Sequence, residues 1–309
     1  ILDIKLDFKK KEGIIMSDTL VKALGFKNMA RLYAVTTTDA VNKIGDRLSY
    51  YPSALDALGR VLSMGAMMGG TLKGDETVTI KIDGTGQIGR ILVDADASGH
   101  IRGYAENPHC HFENNNGTLN VKDTVGRSGT ITVIKDLKLK EPFTGLSPII
   151  SGELAEDFAY YYSISEQIPT AISLGVLVEP SGRAVCSGGF MVQLLPNTSD
   201  EVALEIENKV KALPPVSEML SSGYSPSDIL KNIASDCVIL GETDVIEQCT
   251  CSKERFGKGI LSLGSKEIKE IIDTDGKADT VCHFCGNKYH FDKEDLEKLY
   301  QEALIKEKK

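Results

Sequence analysis

The chain has 309 residues, 41% of them hydrophobic and 26% charged, with a formal net charge of -9; a chain of this size and mixture can bury a core without disulfide staples. No stretch approaches twenty apolar residues, so no membrane span is expected, and no region carries the basic excess of a nucleic-acid binder. The acidity is concentrated: residues 196–248 hold 3 basic and 10 acidic side chains, net -7, against -2 for residues 1–195 and 0 for residues 249–309.

The opening stretch ILDIKLDFKKKEG spreads charges throughout and has no apolar run, so it does not read as a signal peptide. RLYAVTTT, residues 31–38, reads as a strand. SALDALGRVLSMGAMMGGTL, residues 53–72, reads as a helix that is apolar nearly all round, through Leu55, Leu58, Val61, Leu62, Met64, Met67 and Met68. Such a helix belongs in a core, and Asp56 and Arg60 speak against a lipid-facing one. Gly84, Gly86 and Gly89 fit the spacing of a dinucleotide-binding loop, which requires a helix to follow. Here Ile91, Val93 and Ala95 alternate instead and a turn follows at Ser98-Gly99, so the expectation is a β-meander and no nucleotide site. GTITVIKDL and FTGLSPII are further strands. A helix is expected from about Ser151, taken as its N-cap, with Leu154, Phe158, Tyr161 and Tyr162 on the apolar side and Pro169 as its stop. Residues 171–196 read as a hairpin turning at Pro180-Ser181-Gly182. The fold class expected is α+β: a core domain of twisted, largely antiparallel sheet with packed helices (16–195), an acidic helical linker (196–248) and a small zinc-binding C-terminal domain (249–309).

The linker carries apolar stripes at helical spacing: Val202, Ile206, Val210 and Leu213 before Pro214-Pro215, then Ile229, Leu230 and Ile233. Helices this short barely form alone, so they need a platform, and the first domain is the only large one. The chain closes on the amphipathic segment KEDLEKLYQEALIKE, with Asp292 as its N-cap.

Seven cysteines without a secretion signal indicate a reducing compartment, the cytoplasm. Four are paired by spacing: Cys249-x-Cys251, then Cys282-x-x-Cys285 after thirty residues, room for a small hairpin and a helix. Each pair supplies two corners of a tetrahedron, and four thiolates suit zinc. Gly286 places a tight turn directly after the second pair. His283 and His290 read as surface or packing residues, and Cys110, Cys186 and Cys237 as ordinary buried thiols. A sixty-residue module held by zinc depends on the metal for its fold. Two other classes remain in view: a zinc-ribbon interaction module, and a thiol–disulfide oxidoreductase using Cys282 and Cys285.

CSKERF and LSLGSKEI around the cysteines, with MMGGTLKGDETVTIKIDGTGQIG, IISGELAEDFAYYY, SEQIPTAISLGVLV and GGFMVQLLP in the first domain, resemble the redox-regulated 33-kDa heat-shock chaperones of bacteria. The resemblance runs from about Met16 to Tyr300; the first fifteen residues fall outside it. It implies a non-enzymatic, ATP-independent holding chaperone, inactive when Cys249, Cys251, Cys282 and Cys285 are reduced and hold zinc. It further implies that oxidation forms disulfides within each pair, expels zinc, unfolds the C-terminal module and frees apolar surface for unfolding proteins, the active form being a homodimer. Given that pairing, the tighter C-x-C ring is the more strained, so Cys282–Cys285 is expected to close first.

Overall fold

Strands β1 (Thr19–Gly25) and β2 (Ala30–Thr36) open the chain, followed by helices α1 (Thr38–Leu48) and α2 (Pro52–Gly69). A meander follows of β3 (Thr77–Gly84), β4 (Arg90–Asp96) and β5 (His100–Ala105). Next come α3 (Val121–Val125), β6 (Gly129–Asp136), β7 (Phe143–Pro148) and α4 (Leu154–Tyr161), then β8 (Thr170–Val178) and β9 (Ala184–Leu194). The computed structural model describes residues 17–196 and 198–307; the N-terminal stretch and Met16 lie outside the described residues.

Helix α2 explains the architecture. Nearly every residue along it is buried, so it must be covered on both sides. One side faces a five-stranded sheet of order β10-β1-β2-β9-β8, the other a six-stranded sheet of order β11-β5-β4-β3-β6-β7. Pairing is antiparallel except between β11 and β5. The main core joins Leu55, Leu58, Met64 and Met67 of the helix to Val78, Ile80, Ile91 and Val93 of one sheet and Val176 and Met191 of the other. Asp56, buried with them, pairs with Arg60 at 2.6 Å.

The next segment holds α5 (Asp200–Ala212), α6 (Val216–Ser221), α7 (Pro226–Ile233), β10 (Val238–Asp244) and β11 (Ile246–Glu247). The expected stripes find their platform on the outer face of the five-stranded sheet. Ile206, Ile229, Leu230 and Ile233 are buried there against Val21, Ala23, Leu32, Ala34, Phe190 and Val192, with Val202, Val210 and Leu213 at the margin. Helix α6, β10 and β11 are additions to the sequence reading, which places only α7 between Pro215 and Cys249.

The expected N-cap at Ser151 is not one. The carboxylate of Asp157 accepts the N–H groups of Ile150, Ser151 and Gly152, which holds these residues in a loop and delays the helix to Leu154. The helix then widens into a π-turn over Tyr162–Glu166.

Helix α1 is capped from a distance. The Thr37 hydroxyl is engaged by Ser63 and Ser187, so the buried Asp18 carboxylate accepts the Ala40 N–H instead, at 2.9 Å. Burial pushes Asp18 up to about 6. A carboxyl raised on folding contributes its stability fully below its unfolded value, about 3.9, and loses it as pH rises through about 6. Asp18→Asn keeps an acceptor without the charge. It is expected to raise stability at pH 7.5 by about 1–3 kcal/mol, with most of that gain gone at pH 4; thermal unfolding at the two pH values checks this.

Candidate metal centre

The last sixty residues form α8 (Lys253–Leu261), α9 (Ser265–Thr274), a hairpin of β12 (Ala278–Val281) and β13 (Lys288–Phe291), and α10 (Lys293–Glu307). Asp292 accepts the Asp295 N–H and caps α10 as expected. Between the two cysteine pairs lie two helices and only the first strand of the hairpin, a correction to the hairpin and helix expected there. Cys282 and Cys285 occupy the hairpin turn itself. The Cys282 N–H donates to Asn287 O at 2.9 Å and the Gly286 N–H to Cys282 O at 2.7 Å. Gly286 has φ of 71°, the left-handed region this tight return needs.

The four cysteines converge. Their sulfurs all lie within 4.8 Å of one another, with Cys282 and Cys285 buried and Cys249 and Cys251 half-buried. Close contacts run between the pairs: Cys249 to Cys282 at 3.7 Å and Cys251 to Cys285 at 3.2 Å. A tetrahedral ion with metal–sulfur bonds of about 2.3 Å sets its ligands about 3.8 Å apart, so this donor set fits zinc in number, chemistry and spacing. Burial pushes the Cys249 and Cys285 thiols up. Burial acts on Cys251 too, but hydrogen bonds from Tyr289 and from the other three thiols bring it down to about 7. The Tyr289 hydroxyl donates to Cys251 Sγ at 3.0 Å, and this bond lifts the phenol to about 12. Tyr289 is a partner the sequence reading missed; its only signal is its place in the strand that follows the knuckle.

The knuckle is also fastened to α1 and the six-stranded sheet. The Arg47 guanidinium donates to Glu247 at 2.8 and 3.2 Å and to Phe284 O at 3.0 Å. Arg102 lies 4.2 Å from the centre of the Phe284 ring, and Tyr104 stacks on His283 at 5.2 Å. His283 is thus a packing residue, and His290 pairs with Asp279 at 2.7 Å on the hairpin surface.

The remaining residues stay apart from this centre. Cys110 and Cys186 are buried as expected, whereas Cys237 is only half-buried because it lies in the exposed lead-in to β10. The glycine cluster makes no phosphate cradle: a Cβ on Gly84 would meet Val125 O at 2.0 Å and one on Gly86 would meet Thr124 O at 2.1 Å. Those glycines admit the end of α3, and β4 rather than a helix follows. Among the described residues, no helix is long and apolar enough to cross a membrane.

Residues 18–292 match the family model described as Hsp33 protein. A 33 kDa chaperonin of Geobacillus sp. (strain WCH70) is 48% identical over 294 residues, covering 94% of this chain and all of the relative. One of Listeria monocytogenes serotype 4a is 47% identical over 293 residues, covering 93% of this chain and all of the relative. The crystal structure of a 33 kDa chaperonin from Thermotoga maritima superposes with a TM-score of 0.84 at 32% identity, covering 94% of this chain and 99% of that one.

Proposed function

Because the chain belongs to the Hsp33 family, we propose that it is a redox-regulated, ATP-independent holding chaperone rather than an enzyme. Its working units are a core domain at 16–195, a linker at 196–248 and a redox-switch domain at 249–309. The site is Cys249, Cys251, Cys282 and Cys285, and zinc bound there would cross-link the two pairs, which no disulfide joins. The observation that carries the reading is the convergence of these four sulfurs next to a contact with α1 and the six-stranded sheet through Phe284.

Oxidation by a peroxide removes two electrons from each pair. It forms the Cys249–Cys251 and Cys282–Cys285 disulfides, and the oxidant is reduced to water. In the folded site Cys249 lies 3.7 Å from Cys282 and Cys251 lies 3.2 Å from Cys285, contacts between the pairs that disulfides within each pair give up. The module's own core is small, centred on Ile260, Leu261, Ile268, Ile272, Phe291 and Leu296, and does not hold without the cross-link. The Phe284 contact then loosens, the linker follows, and the apolar sheet face beneath α5 and α7 becomes available to unfolding proteins. The protein works in the cytoplasm, and its active form is a homodimer.

The test is aggregation of a thermally unfolding protein, followed by light scattering with and without this chain. Zinc is read at the same time with a coloured chelator. Reduced protein is expected to give little protection. Protein treated with hydrogen peroxide is expected to suppress aggregation near stoichiometry and to release about one zinc per chain. Full protection by reduced, zinc-loaded protein would sink the reading.

A further inference from the structure

Residues 234–248 run as a strap from α7 to the cysteine centre, crossing the edges of both sheets. Its long element, β10, covers almost nothing. Val238 is 57% exposed, Ile239 38% and Leu240 62%, and of the seven residues only Thr243 falls short of exposed. The register slips between Lys22 and Ala23 of β1, whose partners are Gly241 and Ile239, leaving Leu240 unmatched. Main-chain bonds to β1 therefore hold this strand, with little help from side-chain packing.

An edge that binds through its main chain selects for an extended conformation and tolerates many sequences. β10 presents it with Val-Ile-Leu, an aliphatic run left in water, which is what an unfolding polypeptide offers. Beside the β1 edge lies the apolar face of Val21, Ala23, Leu32 and Phe190 that α7 and its neighbours cover. Release of the strap and helices opens the edge and the apolar floor together.

The strap is fastened at its ends. The Asp236 carboxylate accepts the N–H groups of Phe26 at 3.0 Å and Lys27 at 2.7 Å. Val245 donates to Asp18 O at 2.8 Å, Ile246 to Gly99 O at 2.9 Å and Gln248 to Ile101 O at 3.0 Å. At Gly99, where φ is 89°, a Cβ would stand 2.1 Å from Asp244 O, so the crossing depends on a residue without a side chain.

We propose that β10 is an intramolecular stand-in for client: once the strap is released, the β1 edge takes up an extended apolar segment of an unfolding polypeptide as an added strand. The proposal rests on the holding reading above and gives it a binding site. Holding by the oxidised wild type is measured first, so that failure of that reading shows separately. Amide exchange is then followed across Thr19–Gly25 of the full chain, with reduced and carboxymethylated α-lactalbumin as the unfolded probe. The β1 amides that face β10 are expected to be protected in the reduced protein. After peroxide they should exchange at least tenfold faster, and they should regain protection when the probe binds. The peptide SVILGETD, residues 237–244 with serine for Cys237, should displace the probe at millimolar concentration, and a scrambled peptide should not. In the reduced state, Gly99→Ala should speed exchange in β10 and confer part of the holding activity. A bound probe with β1 still unprotected places capture elsewhere and overturns the proposal. Protection that returns without probe and grows with protein concentration also overturns it, because the edge then belongs to a second copy.

Discussion

Cys285→Ser is expected to abolish zinc binding and to unfold residues 249–307 while leaving the two-sheet domain intact. Serine offers no thiolate at neutral pH, and the three remaining sulfurs cannot complete a tetrahedral thiolate site. Structural zinc contributes about 10–16 kcal/mol in small modules, against a stability of about 5 kcal/mol at the lower end for ordinary domains. The module's buried core is a handful of aliphatic residues and Phe291, which cannot replace that contribution. Metal analysis should fall from about one zinc per chain to none, amide protection should vanish across α8, α9 and α10, and holding activity should appear without oxidant. Cys237→Ser, outside the cluster, should change none of these. A Cys285→Ser protein with full zinc content would reject the ligand set.

Ile206→Glu is expected to switch on client holding with the metal centre still loaded. Ile206 is the only fully buried residue of α5, seated against the sheet face with Ile229, Leu230 and Ile233. Removing its side chain from that contact costs about 1.5–3 kcal/mol, and a carboxylate there must either become neutral or leave. Leaving is the easier course for a thirteen-residue helix followed by Pro214-Pro215. The net charge of -7 on residues 196–248 also repels the undocked segment from itself. Raised exchange across α5 with zinc retained, accompanied by suppression of client aggregation under reducing conditions, is the expected pair of results. If the helix is mobile and the reduced protein stays inactive, release of this helix is not the switch.

What could be read in the sequence was what short-range periodicity and spacing encode. The α2 pattern is legible because a helix that is apolar on every side has one solution, burial. The stripes of α5 and α7 are legible because Ile206 or Ile233 in water would be anomalous. The cysteines are legible because two pairs with short internal spacing have few other uses. What was missed depends on distant partners. β10 has no alternation to reveal it, since nearly all its residues are exposed; it is a strand because β1 offers a free edge. Ser151 has the composition of an N-cap, yet Asp157, six residues on, takes the backbone groups that would have started the helix there. The fastening of Phe284 by Arg47 and Arg102 joins residues nearly two hundred or more positions apart, and no local pattern announces it. The same holds for Tyr289, whose hydroxyl reaches Cys251 only because the hairpin folds back.

The pairing of β1 with β10 has a consequence for how the molecule is made. β1 is translated well ahead of its edge partner, which lies more than two hundred residues later in the chain. At about 5–20 residues per second, the edge waits about 10–45 seconds for its own strand. Throughout that interval the nascent chain carries an open edge before any part of the cysteine centre has been translated. Synthesis thus takes every copy through an unlatched stage, because the edge cannot close until β10 itself has been translated.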